Sequence, residues 1–226
     1  MYRYSNVDSN GNLLLIYSQK RSCSVGGRQM RTFWNLLADS LWFINLVPRR
    51  RFPRHSTRYV KQIMGYKELN VLEIGTLKAE NARNILKTLN VKTLTIIDPY
   101  EEYKEYWEDE SNRTQKALEK YRKIAERRLS KWHDKLIWIK KRSEDAIEDI
   151  KDNSMDFIYI DGNHTYEYAL EDMRNYWNKV KDSGVLAGHD INSFGHEGVA
   201  KAFLQFCSEN KLTPIIHGQD WILEKK

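Results

Sequence analysis

Cysteine is almost absent from this chain. Cys23 and Cys207 are the two among 226 residues, and they stand too far apart to form a metal or redox motif. Their scarcity fits a protein that works in the reducing interior of the cell. Long apolar runs are also few. The longest, FWNLLADSLWFINLV at 33–47, contains Asn35, Asp39, Ser40 and Asn45 and falls short of the ~20 residues that span a bilayer. LLLIY at 13–17 is too short for a secretory core and has no small-residue cleavage site after it. A GxGxxG dinucleotide fingerprint is missing, and so are internal repeats and low-complexity segments.

What remains is ordinary material for a folded domain. The length suffices for one α/β domain, alone or with an extension. The net charge of +6 is compatible with an anionic partner, with nucleic acid, or with neither, because net charge governs association rather than fold. Residues 1–55 read as an N-terminal extension. Its apolar stretch reads first as an amphipathic helix docked on the domain or on a second subunit, which would make a homodimer. Arg28, Arg31, Arg49, Arg50, Arg51 and Arg54 flank it, so the second reading is peripheral membrane contact through 33–54, with arginines at the headgroups.

From residue 56 the pattern becomes regular. A short helix is predicted over 56–64, capped by Ser56 or Thr57. Strands are predicted at VLEIG (71–75), LTIID (94–98), LIWIK (136–140), FIYID (157–161), VLAGHD (185–190), PIIHG (214–218) and DWILEK (220–225). Helical periodicity fills the gaps at 79–89, 114–132 and 143–150, the last with Ser143 as cap. It recurs through Tyr166, Ala169, Leu170, Met173, Tyr176, Trp177 and Val180, and again over GHEGVAKAFLQFCSEN. Ser183-Gly184 is the expected turn before the fifth strand. Such alternation calls for a mostly parallel sheet covered on both faces. The stretch 100–113 sets Tyr100, Tyr103, Tyr106 and Trp107 among acidic residues, which reads as an amphipathic helix or as a lid over an acceptor. The basic helix after it, with Lys116, Lys120, Arg122, Lys123, Arg127 and Arg128, is where an RNA-binding reading would have to reside.

Three motifs carry chemistry. VLEIGTLKAEN runs a strand into Gly75 and then a helix, which brings backbone N–H groups close to a ligand. LTIIDPY ends its strand in Asp98, an acid placed to accept hydrogen bonds from a ribose, and its spacing from Glu73 is near that of a nucleoside-binding βαβ unit. The third spans 155–191. Asp161, Gly162, Asn163 and His164 follow one strand, and His189 and Asp190 follow the next. Ligands in open parallel sheets bind outside the carboxyl ends of the strands, so both clusters are expected on one rim.

This third motif, IDGNHTYEYALEDM…YW…VKDSGVLAGHDI, resembles the signature of class I S-adenosylmethionine-dependent methyltransferases. The nearest branch is that of sugar and other small-molecule O-methyltransferases, which includes the macrocin and mycinamicin enzymes and cephalosporin-hydroxylase-like proteins. The resemblance covers about 56–226. It implies a Rossmann-like three-layer α/β sandwich whose seven-stranded, mostly parallel sheet ends in an antiparallel hairpin. It implies S-adenosylmethionine as cofactor, held by Glu73, Gly75, Thr76, Asn81, Asp98, Ser143, Glu144 and Asp161. Asp161 and Asp190 match metal-binding carboxylates, with His189 beside them, for a Mg2+ ion. His164 and Asp161 match the catalytic pair, His164 as general base. Ala79 and Asn81 depart from the family's glycine or small hydroxyl residues, and the position of His189 is acidic in some metal-dependent relatives.

The implied activity is transfer of a methyl group to a hydroxyl of a sugar-like small acceptor. Two other readings stay open from the residues. One is an RNA methyltransferase, although no RNA-binding module stands beside the basic helix. The other is a catalytically silent cofactor-binding adaptor that works through its N-terminal helix, cytoplasmic or at a membrane surface.

Overall fold

The computed structural model describes residues 52–102, 114–193 and 197–226. These all belong to the second of two units, Arg50–Lys226. The apolar stretch at 33–47, LLLIY, Cys23 and, of the stretch read as a helix or lid, residues 103–113 lie outside the described residues.

Helix α1 (His55–Met64) precedes β1 (Leu69–Ile74), α2 (Glu80–Thr88) and β2 (Val91–Ile97). Then come α3 (Gln115–Leu129), β3 (Leu136–Ile139), β4 (Met155–Ile160), α4 (Tyr166–Trp177) and β5 (Val180–Gly188). The chain closes with α5 (Glu197–Asn210), β6 (Ile215–His217) and β7 (Asp220–Glu224). The sheet order is β3-β2-β1-β4-β5-β7-β6. Strands β1 to β5 run parallel, and β7 is inserted antiparallel between β5 and β6. The expected Rossmann-like sandwich is present.

The central strands are buried on both faces, which is why they read as continuous apolar runs. Alternation sorts them. Leu72, Ile74, Ile158, Ile160 and Leu186 pack with Ala169, Leu170, Met173 and Tyr176 of α4 and Phe203 and Phe206 of α5. Leu69, Val71, Phe157, Tyr159 and Val185 pack on the opposite face with Val60, Ile85 and Leu118 from α1, α2 and α3.

Several local expectations are corrected. Helix α4 stops at Trp177, and Val180 already begins β5. Ser183-Gly184 is therefore no turn but an irregularity within β5, where the register slips between Met155 and Phe157. A Cβ on Gly184 would stand 2.7 Å from the Lys181 carbonyl, so only glycine fits that close approach. Helix α1 begins at His55 behind Arg54, with no side-chain cap, because Ser56 is used elsewhere, as shown below. Glu144–Asp149 forms a 3-10 turn, and Ser143 makes no capping bond. Tyr100 is no part of an amphipathic helix. It is buried, with φ +49°, and its hydroxyl donates to the Leu77 carbonyl at 2.9 Å.

Candidate active site

Four candidate site residues each stand just past the end of a strand. Gly75 N–H donates to Ile97 O (2.9 Å), Asp98 N–H to Ile139 O (3.2 Å), Asp161 N–H to Ile74 O (2.9 Å) and His189 N–H to Ile160 O (3.2 Å). Each bond extends the parallel ladder by a step, so the four backbones share one rim. β1 and β4 are neighbours across the point where strand order reverses, the place where open sheets of this type leave a crevice.

On the β1–β2 side the chain is shaped by Gly75. Its φ is +75°, and a Cβ there would meet the Asp161 carbonyl oxygen at 2.1 Å. Leu77 and Ala79 also take positive φ, unusual for residues with a Cβ and common at ligand sites. Asp98 stabilises this loop. Its Oδ2 accepts the N–H groups of Thr76 (3.0 Å) and Leu77 (2.9 Å), and its Oδ1 accepts that of Tyr100 (2.9 Å). Burial raises the Asp98 pKa, against those three N–H donors, which lower it. Glu73 lies beneath the loop, accepting from the Thr76 hydroxyl and from Asn81 Nδ2 at 2.8 Å. Burial pushes Glu73 up to about 7. Asn81 thus lies below the loop, against Glu73.

Ser143 and Glu144 follow β3, and the Ser143 hydroxyl lies 3.3 Å from Glu144 Oε2. Asp172 on α4 is fully buried beside Ser143, and burial lifts its carboxyl to about 7. A Cβ on Gly162 would lie 3.5 Å from Asp172 Oδ2.

On the β4–β5 side the acidic and imidazole groups converge. His164 Nε2 stands 3.1 Å from Asp190 Oδ2 and 3.9 Å from Asp161 Oδ1. His189 Nδ1 is 2.8 Å from Asp190 Oδ1, which also accepts from the Ser193 hydroxyl. Among the described residues, Asp161, His164 and Asp190 each bring one ligand atom within 4.8 Å of the others. His189 is not in that set. Its Nδ1 is 4.0 Å from Asp161, and its Nε2 turns toward Asp220 Oδ1 at 3.9 Å. Burial lowers the His164 pKa, but hydrogen bonds and charge from Asp161 and Asp190 outweigh it and raise it to about 10. Two carboxylates on one side of the ring favour its protonated form. Two carboxylates and an imidazole at this separation form a donor set suited to a divalent cation.

A protein-family model described as a methyltransferase domain matches residues 72–191. The chain belongs to this methyltransferase family. No curated protein matches it. Among solved structures, it is similar to a Corynebacterium glutamicum protein at TM-score 0.57 and 13% identity, over 87% of this chain and 95% of that one. An O-methyltransferase from Bacillus cereus in complex with SAH matches at TM-score 0.56 and 15% identity, over 89% and 93% of the two chains. TomG, an O-methyltransferase from Streptomyces achromogenes involved in tomaymycin synthesis, in complex with SAM, matches at 0.52 and 12%, over 75% and 78%.

In this methyltransferase the residues named from sequence fall into two groups that meet at Asp161. Glu73, Gly75, Thr76, Asn81 and Asp98 build the loop side, and Asp161, His164, His189 and Asp190 build the facing cluster. Ser143 and Glu144 stand at the third strand end, with Asp172 behind them.

Three buried residues were missed by the sequence reading. Arg54 Nη2 donates to Asp161 Oδ2 at 2.7 Å, although its sequence neighbours suggested a connector. Asp220 accepts from Ser56 N–H and Ser56 Oγ, both at 2.9 Å. Neither had a local signal. Asp172 did have one. It lies between Leu170 and Met173 on the apolar stripe of α4, where a carboxylate is out of place.

Proposed function

We propose that this methyltransferase transfers a methyl group from S-adenosylmethionine to a hydroxyl oxygen of a small, sugar-like acceptor, with a divalent cation such as Mg2+ on the acceptor side. The observation that carries the reading is the convergence of Asp161, His164 and Asp190 beside the Gly75 loop. The solved relatives that are O-methyltransferases, named with SAH and SAM, support the choice of donor and of oxygen.

The bare backbone at Gly75 and the acid at Asp98 fit a nucleoside held along the β1–β2 rim. A carboxylate offers about four acceptor positions, so Asp98 keeps capacity for a ribose hydroxyl while holding the loop. Ser143 and Glu144 would stand at the adenine. When bound, the cofactor supplies a methyl group already activated on a sulfonium, so the chain's task is mainly alignment. Asp161 and Asp190 would hold the cation, whose contribution is to lower the pKa of the acceptor hydroxyl and orient it. His164 Nε2, 3.1 Å from Asp190 and 3.9 Å from Asp161, would serve either as a third ligand or, in its neutral form with the cation on the carboxylates alone, as the base that takes the hydroxyl proton.

Calorimetric titration with S-adenosylmethionine, with and without MgCl2, tests the donor first. Micromolar binding is expected, and no binding in either condition overturns the reading. His164→Ala separates the roles of the imidazole. Loss of turnover with cation binding retained supports the base, and loss of both makes His164 a ligand only.

The RNA reading is not favoured. Arg122 is committed to Glu126 at 2.5 Å and to Glu119 at 3.4 Å, and Arg128 to the Lys78 carbonyl and Glu80. The silent-adaptor reading is not favoured either, since the acid and imidazole groups converge as a working site requires. Among the described residues no helix is long and apolar enough to cross a membrane.

A further inference from the structure

Arg54 is buried, with 8% exposure, and reaches the site from the residue just before α1. Its Nη2 donates to Asp161 Oδ2, and its Nη1 stands 3.8 Å from Asp220 Oδ1. The guanidinium lies over the Tyr159 ring, 5.3 Å from its centroid. Nε and Nη1 are buried and make no hydrogen bond among the described residues, so Asp161 is the main partner of this cation. A buried charge is tolerated chiefly through such pairing.

The placement is rigid. Ser56, two residues on, gives both its N–H and its hydroxyl to Asp220 Oδ2, and the Tyr159 hydroxyl reaches Asp220 Oδ1 at 3.4 Å. The start of α1 is thereby pinned to β7, and Arg54 is aimed at the end of β4. Asp161 is divided as a result. Oδ2 is held by Arg54, while Oδ1 faces His164 at 3.9 Å and His189 at 4.0 Å.

We propose that Arg54 is a positioning residue that competes with a divalent cation for Asp161, leaving Oδ1 alone for ligation and holding down the affinity of the Asp161–His164–Asp190 cluster for a free ion. The proposal rests on the cation reading of that cluster. The physical basis is simple. A fixed positive charge in contact with one ligand carboxylate repels a second cation. Occupation of Oδ2 also forbids bidentate coordination, one of the ways a carboxylate binds such ions tightly. The empty enzyme then holds the ion weakly, and an acceptor that adds its own oxygens completes the capture.

The sign of the effect separates this role from a structural one. Loss of a merely structural arginine loosens the ligands and weakens ion binding. Loss of a competitor strengthens it. The test is calorimetric titration of the full chain with MnCl2 alone, comparing wild type with Arg54→Met, Arg54→Gln and Arg54→Lys. Arg54→Met and Arg54→Gln are expected to bind Mn2+ roughly tenfold tighter or more, and Arg54→Lys to stay close to wild type. Should Arg54→Met fail to fold by circular dichroism, the glutamine variant carries the comparison, since it keeps a hydrogen-bond donor for Asp161. Equal or weaker Mn2+ binding in the folded neutral variant overturns the proposal, as does absence of binding in every chain. Titration of the same samples with S-adenosylmethionine keeps the methyltransferase reading separate, because cofactor binding does not depend on the Mn2+ result.

Discussion

At the scale of a single residue, Asp98 holds a loop in addition to the task proposed for it. The sequence reading assigned it to a ribose, and the structure shows the same carboxylate accepting three backbone N–H groups. Truncation therefore has two consequences. Asp98→Ala is expected to reduce stability by about 1–3 kcal/mol through unsatisfied N–H groups. It should also weaken S-adenosylmethionine binding by more than roughly tenfold, since the loop under the cofactor loses its anchor. Urea unfolding and calorimetry on the same sample check both. A variant with unchanged stability would show that solvent satisfies the loop in its place. Asp98 as a candidate was legible because acid, strand end and proline turn are all local. The loop-holding role was not, because backbone N–H direction depends on the positive φ of Gly75 and Leu77.

At the scale of the element, α4 shows how a helix carries more than its apolar stripe. Ala169, Leu170, Met173 and Tyr176 face the core as the period predicts, and the Tyr176 hydroxyl donates to the Ser143 carbonyl at 2.8 Å. Asp172 shares that buried face. Its carboxyl titrates near 7 in the fold, against an ordinary value of 3.8, because burial disfavours the charge and the Ser143 hydrogen bond only partly offsets this. The folded-state pKa is raised, so the stability associated with the neutral acid is complete below about pH 4 and is lost as pH rises through about 7. Asp172→Asn keeps that site neutral throughout. Between about pH 5 and about pH 8, wild type is expected to lose roughly 3 kcal/mol relative to the asparagine variant. Urea unfolding at both values decides the matter, and parallel curves for the two proteins would show that Asp172 titrates normally. The existence of α4 and of β4 was legible from periodicity. The boundary with β5 was not, because the apolar Val180 continues the helical count while its backbone pairs with Met155.

At the scale of the molecule, the start of α1 and the start of β7 form one clamp. Ser56, Arg54 and Tyr159 all point to Asp220, which is 3% exposed. Asp220→Ala leaves a buried guanidinium short of an acidic neighbour and a buried backbone N–H without its acceptor. A loss of about 3–5 kcal/mol is expected, by analogy with other broken buried pairs. The midpoint of denaturant unfolding measures it, and an unmoved midpoint would mean that the clamp contributes nothing to the fold.

The chain's own order of residues determined the alternation of strands and helices, the apolar runs that form a doubly covered sheet, and the Asp161–His164 and His189–Asp190 motifs. These are legible because backbone period, turn chemistry and strand-end position are properties of neighbouring residues. The motif at 155–191 also falls within the stretch that identifies the family. Only the tertiary structure decided which groups meet. It grouped His164 with the two carboxylates, while the His189 ring spans Asp190 on its Nδ1 side and Asp220 on its Nε2 side. It brought Arg54 to Asp161 across 107 residues and Ser56 to Asp220 across 164. Hydrogen bonds and ion pairs act over a few ångströms of space, and local pattern carries no information about which distant segments packing will bring within that range.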